Sequence, residues 1–299
     1  KIVLLCDEIT KEQLMPKNFP FYNPEHHQFI YQILEEKQPL AIIAATTQDP
    51  NLAGGISPFP FIEDGDFDIP SVFMTKEEGQ DLAKKTGRTV HLEIHARRIP
   101  STASNIIARV GDPNRRVVIC AHIDAKEGSP GELDNASGIV VLLLLGELLE
   151  SYAGELGIDI LAINGEDYYS APGETLYLAQ NRGQMDQILL AINLDGVGYK
   201  PAKVAYSFYN LPENLESAAQ IVFSNYPEFT AGEPWFQGDH MIFILNQRPA
   251  IALTSDSAQE LVAQIIHTSK DRPDLVDPEK LVQSAMALRD LILSLEKLM

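Results

Sequence analysis

At 299 residues the chain has room for two domains or one large one, and 45% apolar with 22% charged residues is ordinary globular composition. Its 42 acidic against 23 basic residues give a formal charge of −19. That balance argues against a nucleic-acid or anionic-membrane partner, since both demand a basic surface.

The chain opens on "KIVLLCDE", with no initiator Met and no signal-peptide pattern, and is expected to begin inside a folded unit. The compartment stays open. No apolar run reaches the roughly 18 residues that a membrane-spanning helix needs. Cys6 and Cys120 lie in apolar strand-like runs and are expected to be buried free thiols, because two cysteines make no disulfide framework.

Residues 1–102 alternate short elements. "KIVLLC" and "PLAIIAAT" read as strands, followed by a Pro-, Gly- and Asp-rich loop through Pro70. "SVFM" is a further strand. In "TKEEGQDLAKKTG", Thr75 and Glu78 form a capping box and Gly87 suits the helix end. "TVHLEIHARR" alternates like a strand, and "RIPSTAS" reads as a linker.

From residue 103 the rhythm changes to strand–helix alternation. Strands "NIIARV" and "RRVVICAHI" precede a helix starting near Asp134. Strand "GIDILAIN", helix "ETLYLAQNRG", strand "QILLAINLD", helix "PENLESAAQIVFSNY" and strand "PAIALTS" follow. The closing helix has Asp277 as N-cap and Pro278 at its first position. Leu281, Ala285, Leu288, Ile292 and Leu295 form its apolar face. The pattern predicts an α/β fold with a mixed, largely parallel sheet and helices on both faces.

Ligands of such a sheet bind beyond the carboxyl ends of its strands. His122 and Asp124 follow "VVICA", Glu166 and Asp167 follow "IDILAIN", and Asp195 follows "LLAIN". Asp134 stands before a helix and His267 follows "LVAQII". Each has a plain structural reading by itself: a core histidine, an N-cap, a solvated turn. Their coincidence on one edge points elsewhere. Carboxylates crowded there would repel one another unless cations sat between them. Imidazole with carboxylate suits zinc, and a bridging carboxylate suits a two-metal centre. Cys120 sits deeper in its strand and is read as core.

"AHIDAKEGSPGELDNASGIVVLLLLGELL", "INGEDYYSAPGE", "AINLDGVG", "GDHMIF" and "IIHTSKD" together resemble the co-catalytic di-zinc peptidases, which include bacterial leucyl-type aminopeptidases and glutamate carboxypeptidase. The resemblance covers residues 103–299 and implies the zinc exopeptidase fold. The first 102 residues, through "DIPSVFMTKEEGQDL", resemble the smaller α+β protease-associated (PA) domain, here expected to be incomplete at its N-terminus.

The resemblance implies two Zn2+ per chain. His122 and Asp195 would hold one ion, Asp167 and His267 the other, and Asp134 would bridge them. Glu166 would be the general base of an aminopeptidase acting on peptides through a hydroxide shared by the metals, with Asp124 orienting the His122 imidazole. Asp167 stands where many relatives have Glu, and Ile266 where some place an oxyanion-stabilising tyrosine. His240 is a candidate for that role or for a structural one. Trp235 and Phe236 are candidates to wall a side-chain pocket or to be ordinary core aromatics. The competing readings are a carboxypeptidase of the same architecture, which would need a basic cluster near Arg272, a glutaminyl cyclase relative with one zinc, and a non-catalytic receptor-like relative.

Overall fold

Runs of aliphatic, often β-branched residues bounded by Gly, Pro and Asp set the strands, and the carboxyl ends of those strands position everything discussed below. The structure, a computed structural model, describes residues 1–11, 14, 15, 24–46, 69–95, 97, 99–168 and 171–298. The chain divides into two units, Lys1–Ala103 and Ser104–Met299.

In the first unit β1 (Ile2–Leu5), α1 (Glu25–Lys37), β2 (Ala41–Thr46), β3 (Ser71–Thr75) and α2 (Lys76–Ala83) follow one another. The strands are all parallel, in the order β1-β2-β3. All six β2 residues are buried. Helix α1 turns His27, Tyr31 and Leu34 inward at spacings of four and three, the helical period. Tyr31 packs with Leu14 and Ala44 in a small core. The capping box opens α2 as read: Glu78 N–H donates to Thr75 Oγ1 at 3.3 Å and Thr75 N–H to Glu78 Oε2 at 3.1 Å. Gly79 lets α2 lie against β2, since a Cβ there would stand 2.1 Å from the Ala45 Cβ.

Three expectations for this unit are corrected. The helix ends at Ala83, and Gly87 closes the turns beyond it with φ +87°. Residues 89–95 form no strand: Val90 and Ile94 are both exposed, so the alternation there has no layer to face. Cys6 is exposed, because it falls one residue past the end of β1. The expected Pro/Gly/Asp-rich loop lies mostly at 47–68, outside the described residues, as do Ala96 and Arg98 of the "TVHLEIHARR" segment.

In the second unit the order is β4 (Ile106–Val110), β5 (Arg116–His122), α3 (Ser137–Leu148), β6 (Gly157–Ile163), α4 (Pro172–Gln180), β7 (Ile188–Leu194), β8 (Val204–Tyr209), α5 (Glu213–Phe223), β9 (Phe229–Ala231), α6 (Met241–Leu245), β10 (Ala250–Ser255), α7 (Ala258–Gln264) and α8 (Pro278–Leu295). The sheet runs β4-β6-β5-β7-β10-β8-β9. Its centre, β6-β5-β7-β10, is parallel, whereas β4 and β8 join antiparallel. Strands β8 and β9 were not anticipated. "VAYSFY" mixes polar and aromatic residues on both parities, and β9 is three residues long.

Helices α3 and α5 both pack on α8. Leu145 of α3 and Leu288, Leu291, Ile292 and Leu295 of α8 join Val117, Ile119 and Ala121 of β5 in one core cluster, all fully buried. Each such leucine contributes about 1.5–3 kcal/mol by leaving water. Tyr177 of α4 and Phe243 of α6, both fully buried, meet edge to face at 5.8 Å. At the opposite end of β5 from His122, Arg116 and Asp159 are buried together, with Nη1 to Oδ2 at 3.0 Å. Asp277 caps α8 as read, accepting Glu279 N–H at 3.0 Å.

Candidate metal centre

The carboxyl edge of the parallel strands collects the predicted residues. His122 is the last residue of β5, Asp195 follows β7, and Glu166 and Asp167 lie in the loop after β6. His267 comes three residues after α7, in the left-handed region at φ +57°. Asp134 lies in a wide turn, Glu132–Ala136, whose backbone leaves helical geometry at Asp134 (φ −124°, ψ 81°) and Asn135 (φ −141°, ψ 38°). Helix α3 therefore starts at Ser137, and the N-cap reading of Asp134 does not hold. Its carboxylate is free of capping and faces the two histidines.

The bridging geometry is direct. Asp134 Oδ1 lies 3.0 Å from His122 Nε2, and Asp134 Oδ2 lies 3.0 Å from His267 Nε2. At the two outer ends, Asp195 Oδ1 is 3.9 Å from His122 Nε2 and Asp167 Oδ1 is 2.7 Å from His267 Nε2. His122, Asp134 and Asp195 thus form one set of mutually close donors, and Asp134, Asp167 and His267 a second. A third grouping, His122, Asp124 and Asp167, is as compact. There the Asp124 carboxylate is already engaged: it accepts N–H from Gly165, Glu166 and Asp167 at 2.6, 3.2 and 3.1 Å.

The donors fit cations better than they fit one another. His122 Nδ1 stands 3.1 Å from the Asp124 backbone carbonyl, which turns Nε2 toward Asp134. Nε2 makes no hydrogen bond despite that approach, and buried Asp167 Oδ2 has no partner either. Orphaned, converging imidazole and carboxylate atoms are what tetrahedral zinc coordination requires.

Asp124 thus does more than expected. Its carbonyl oxygen stands 3.1 Å from His122 Nδ1 and its carboxylate Oδ1 3.8 Å, while the carboxylate also gathers three consecutive amides and fixes the loop that bears Glu166 and Asp167.

The charges respond strongly. At Asp134 burial favours the neutral acid, but the imidazoles of His122 and His267 beside it outweigh burial and hold the carboxyl well below its usual range. Burial opposes protonation of His267, yet Asp134 and Asp167 push it up to about 10. His122 is likewise raised, against burial, by Asp134 and Asp195. Burial raises the Glu166 carboxyl well above its ordinary range; His122 opposes that, and Asp195, Asp239 and Asp167 reinforce it. Asp167 is raised for the same first reason. Bound divalent ions would reverse this logic for every acid beside them.

The remaining candidates separate. His240 is fully buried, with Nε2 3.0 Å from the Trp235 carbonyl and Nδ1 3.5 Å from Asn193 Nδ2. It packs between Trp235 and Tyr209, with ring centroids at 4.4 and 5.0 Å. Burial lowers it to about 4, so it stays a neutral packing residue. Phe236 is exposed and Trp235 half-buried. Ile266 packs against Leu133, Tyr199 and their neighbours.

Several residues escaped the sequence reading. Asp271, fully buried, accepts N–H from Leu133 and Asp134. Buried Lys126 donates to the Asp167 carbonyl at 2.7 Å. Asn135 bonds Leu194 O and Gly138 N–H. Glu174 and Asp239 are buried carboxyls that burial raises, each with an oxygen lacking a partner. No hydrophobic period marks such residues; the only signal was that all five fall inside the motifs that carry the resemblance.

Fold and donors together define an α/β protein with two adjacent sets of imidazole and carboxylate donors that share Asp134. The pattern of Peptidase family M28 matches residues 105–292, well over half of the chain, and the chain belongs to that family. It is 26% identical over 230 residues to the aminopeptidase YwaD of Bacillus subtilis, covering 72% of this chain and 49% of that one. It is 29% identical over 130 residues to a probable leucine aminopeptidase 2 of Aspergillus oryzae, covering 42% of this chain and 26% of that one. The chain therefore spans half or less of the curated relatives it matches. The structure of BSAP, a zinc aminopeptidase from Bacillus subtilis, shares the fold at 19% identity and TM-score 0.66, over 88% of this chain and 65% of that one. Among the described residues no helix is long and apolar enough to cross a membrane.

Proposed function

We propose that this chain is a zinc-dependent aminopeptidase that removes residues from the free amino end of peptides. The observation that carries the reading is Asp134, whose two oxygens each stand 3.0 Å from a different imidazole Nε2. His122, Asp134 and Asp195 would hold one Zn2+, and Asp134, Asp167 and His267 the other. Bound there, two zinc ions supply Lewis acidity and make water a nucleophile near neutral pH.

The chain's own residues do the rest. Glu166 stands beside the donors with its backbone fixed by Asp124, and its carboxyl is the group assigned to the proton. It accepts the proton of the attacking water and returns it to the departing amine. The acids around the edge favour a cationic ammonium terminus. The carboxypeptidase reading would need a basic cluster instead, but Arg272 is exposed and turned to Asp274 at 3.7 Å, and Lys126 is engaged at the Asp167 carbonyl. Family kinship to named aminopeptidases supports the same choice. Phe236 and Trp235 are assigned to the wall of an apolar side-chain pocket. Residues 1–102 are assigned to a PA-like domain, on the strength of the segment that forms β3 and α2.

The test is hydrolysis of aminoacyl-p-nitroanilides, abolished by chelator and restored by zinc, together with the variant Glu166→Gln. Glutamine keeps the shape and loses the base, so zinc content should stay at two equivalents while kcat falls about 10²–10⁴-fold. An active Glu166→Gln enzyme refutes the base assignment. Cleavage of N-acetylated peptides as fast as free ones refutes the aminopeptidase reading.

A further inference from the structure

We infer that Asp271 is a positioning residue of the metal centre: its carboxylate ties the backbone bearing Asp134 to the loop bearing His267, and so sets these two ligands before any ion arrives. The inference rests on the proposed reading of Asp134 and His267 as ligands.

Asp271 is fully buried, and among the described residues no cationic side chain pairs with it. A buried carboxylate without a cation is costly unless hydrogen bonds satisfy it. Here each oxygen takes one amide: Oδ1 accepts Leu133 N–H at 2.7 Å and Oδ2 accepts Asp134 N–H at 3.1 Å. These amides open the distorted turn Glu132–Ala136, where the backbone leaves helical geometry. A neutral asparagine in the same pose keeps one acceptor oxygen and sets its NH2, a donor, against the other amide. The paired arrangement fixes the direction of the Asp134 backbone as well as its place.

At its other end, Asp271 is locked to His267. Asp271 N–H donates to Thr268 O at 3.3 Å, Lys270 N–H to Thr268 Oγ1 at 3.1 Å, and Thr268 Oγ1 to Ile265 O at 2.6 Å. These bonds close residues 265–271 into one turn on either side of His267 and couple its position to that of Asp271. The result is the 3.0 Å approach of His267 Nε2 to Asp134 Oδ2. Asp124 does the same on the other flank, joining the loop after His122 to the amides of residues 165–167. Each histidine is therefore followed by an acid that clamps the backbone of a different ligand. Loss of Asp271 should weaken both ions through the shared Asp134, and the one that also uses His267 more than the one held with His122 and Asp195.

The experiment titrates zinc against a chromophoric chelator in the metal-free full chain and in Asp271→Asn. We expect both equivalents to weaken in the variant, the one that also uses His267 by about 10–100-fold and the other by less. A role confined to general stability would shift the unfolding midpoint and leave the affinities of the folded protein alone. Two zinc equivalents bound with unchanged affinity by Asp271→Asn overturn the inference. Amide exchange in the metal-free wild type keeps the test open if the variant does not fold. The Leu133 and Asp134 amides should be protected without zinc, and free exchange there until zinc is added would overturn it equally. A wild type that binds no zinc would sink the metal reading instead, while the amide protection would still report on the clamp.

Discussion

A methyl group at position 138, outside the ligand set, should disable the centre. Gly138 is the second residue of α3, and an alanine Cβ there would stand 2.4 Å from Asn135 Oδ1 and 2.9 Å from the Ala121 Cβ. Ala121 belongs to β5, the strand that ends in His122, and is fully buried, so it cannot retreat. Asn135 must move instead. It would give up the bond from Gly138 N–H at 3.1 Å and the bond to Leu194 O at 2.8 Å, each contributing about 1 kcal/mol, and leave buried groups unsatisfied at a further 1–3 kcal/mol. Against this, Gly→Ala in a helix gains at most about 1 kcal/mol. The clash wins, and Gly138→Ala should lose about 2–4 kcal/mol, a fall in Tm on the order of 5–15 °C. Because Asn135 adjoins Asp134, zinc affinity should fall too. Differential scanning calorimetry with and without zinc checks both. A variant that melts at or above the wild-type temperature and keeps two zinc ions would refute the reasoning.

Loading zinc should expel protons. Asp134 and Asp167 raise His267 to about 10, so it is protonated in the metal-free protein at pH 7 and must be neutral to bind; His122 is raised too, by Asp134 and Asp195. Calorimetry in buffers of different ionisation enthalpy should show release of about one proton from His267, with affinity rising with pH; release near zero at pH 7 would refute it. Glu174 supplies a pH-dependent stability. Burial raises its carboxyl to about 7 in the folded protein, so the neutral acid is tolerated below the unfolded value. Stability is then lost as pH climbs from the unfolded value to the folded one, by about 1.4 kcal/mol for each pH unit between them. Metal-free Glu174→Gln should therefore gain Tm over the wild type at pH 8 and lose most of that gain at pH 5. An advantage independent of pH would count against burial as the cause.

The parts of the molecule legible in sequence were those with a period or a fixed offset. Strand β5 showed itself because "VVICA" is buried throughout and then stops at His122. Helix α8 showed itself through Asp277, Pro278 and an apolar face that the structure buries. The converging acids and imidazoles were visible because parallel strands present their carboxyl ends on one edge. What stayed hidden depends on long-range pairing. Residues 89–95 have a strand's alternation and, among the described residues, no strand to pair with, while β8 lacks clean alternation and is a strand because β10 and β9 flank it. Asp134 has the composition of an N-cap, but its turn leaves helical geometry where Asp134 N–H donates to Asp271 and the Asn135 side-chain amide donates to Leu194 O, and no local pattern announces the roles of Asp271 and Asn135.

The way these acids are held explains why the edge stays open to cations. A lysine or arginine placed against Asp124 or Asp271 would satisfy it, but its charge would also repel divalent ions a few ångströms away. The fold uses neutral backbone amides instead: three for Asp124 and two for Asp271. Even Lys126, the one buried ammonium bonded to the ligand loop among the described residues, donates to the Asp167 carbonyl and not to its carboxylate. Amide dipoles fix the ligand backbones without compensating the ligand charge. The uncompensated charge of Asp134, Asp167 and Asp195 is then left facing two imidazoles, where only protons or metal ions can balance it.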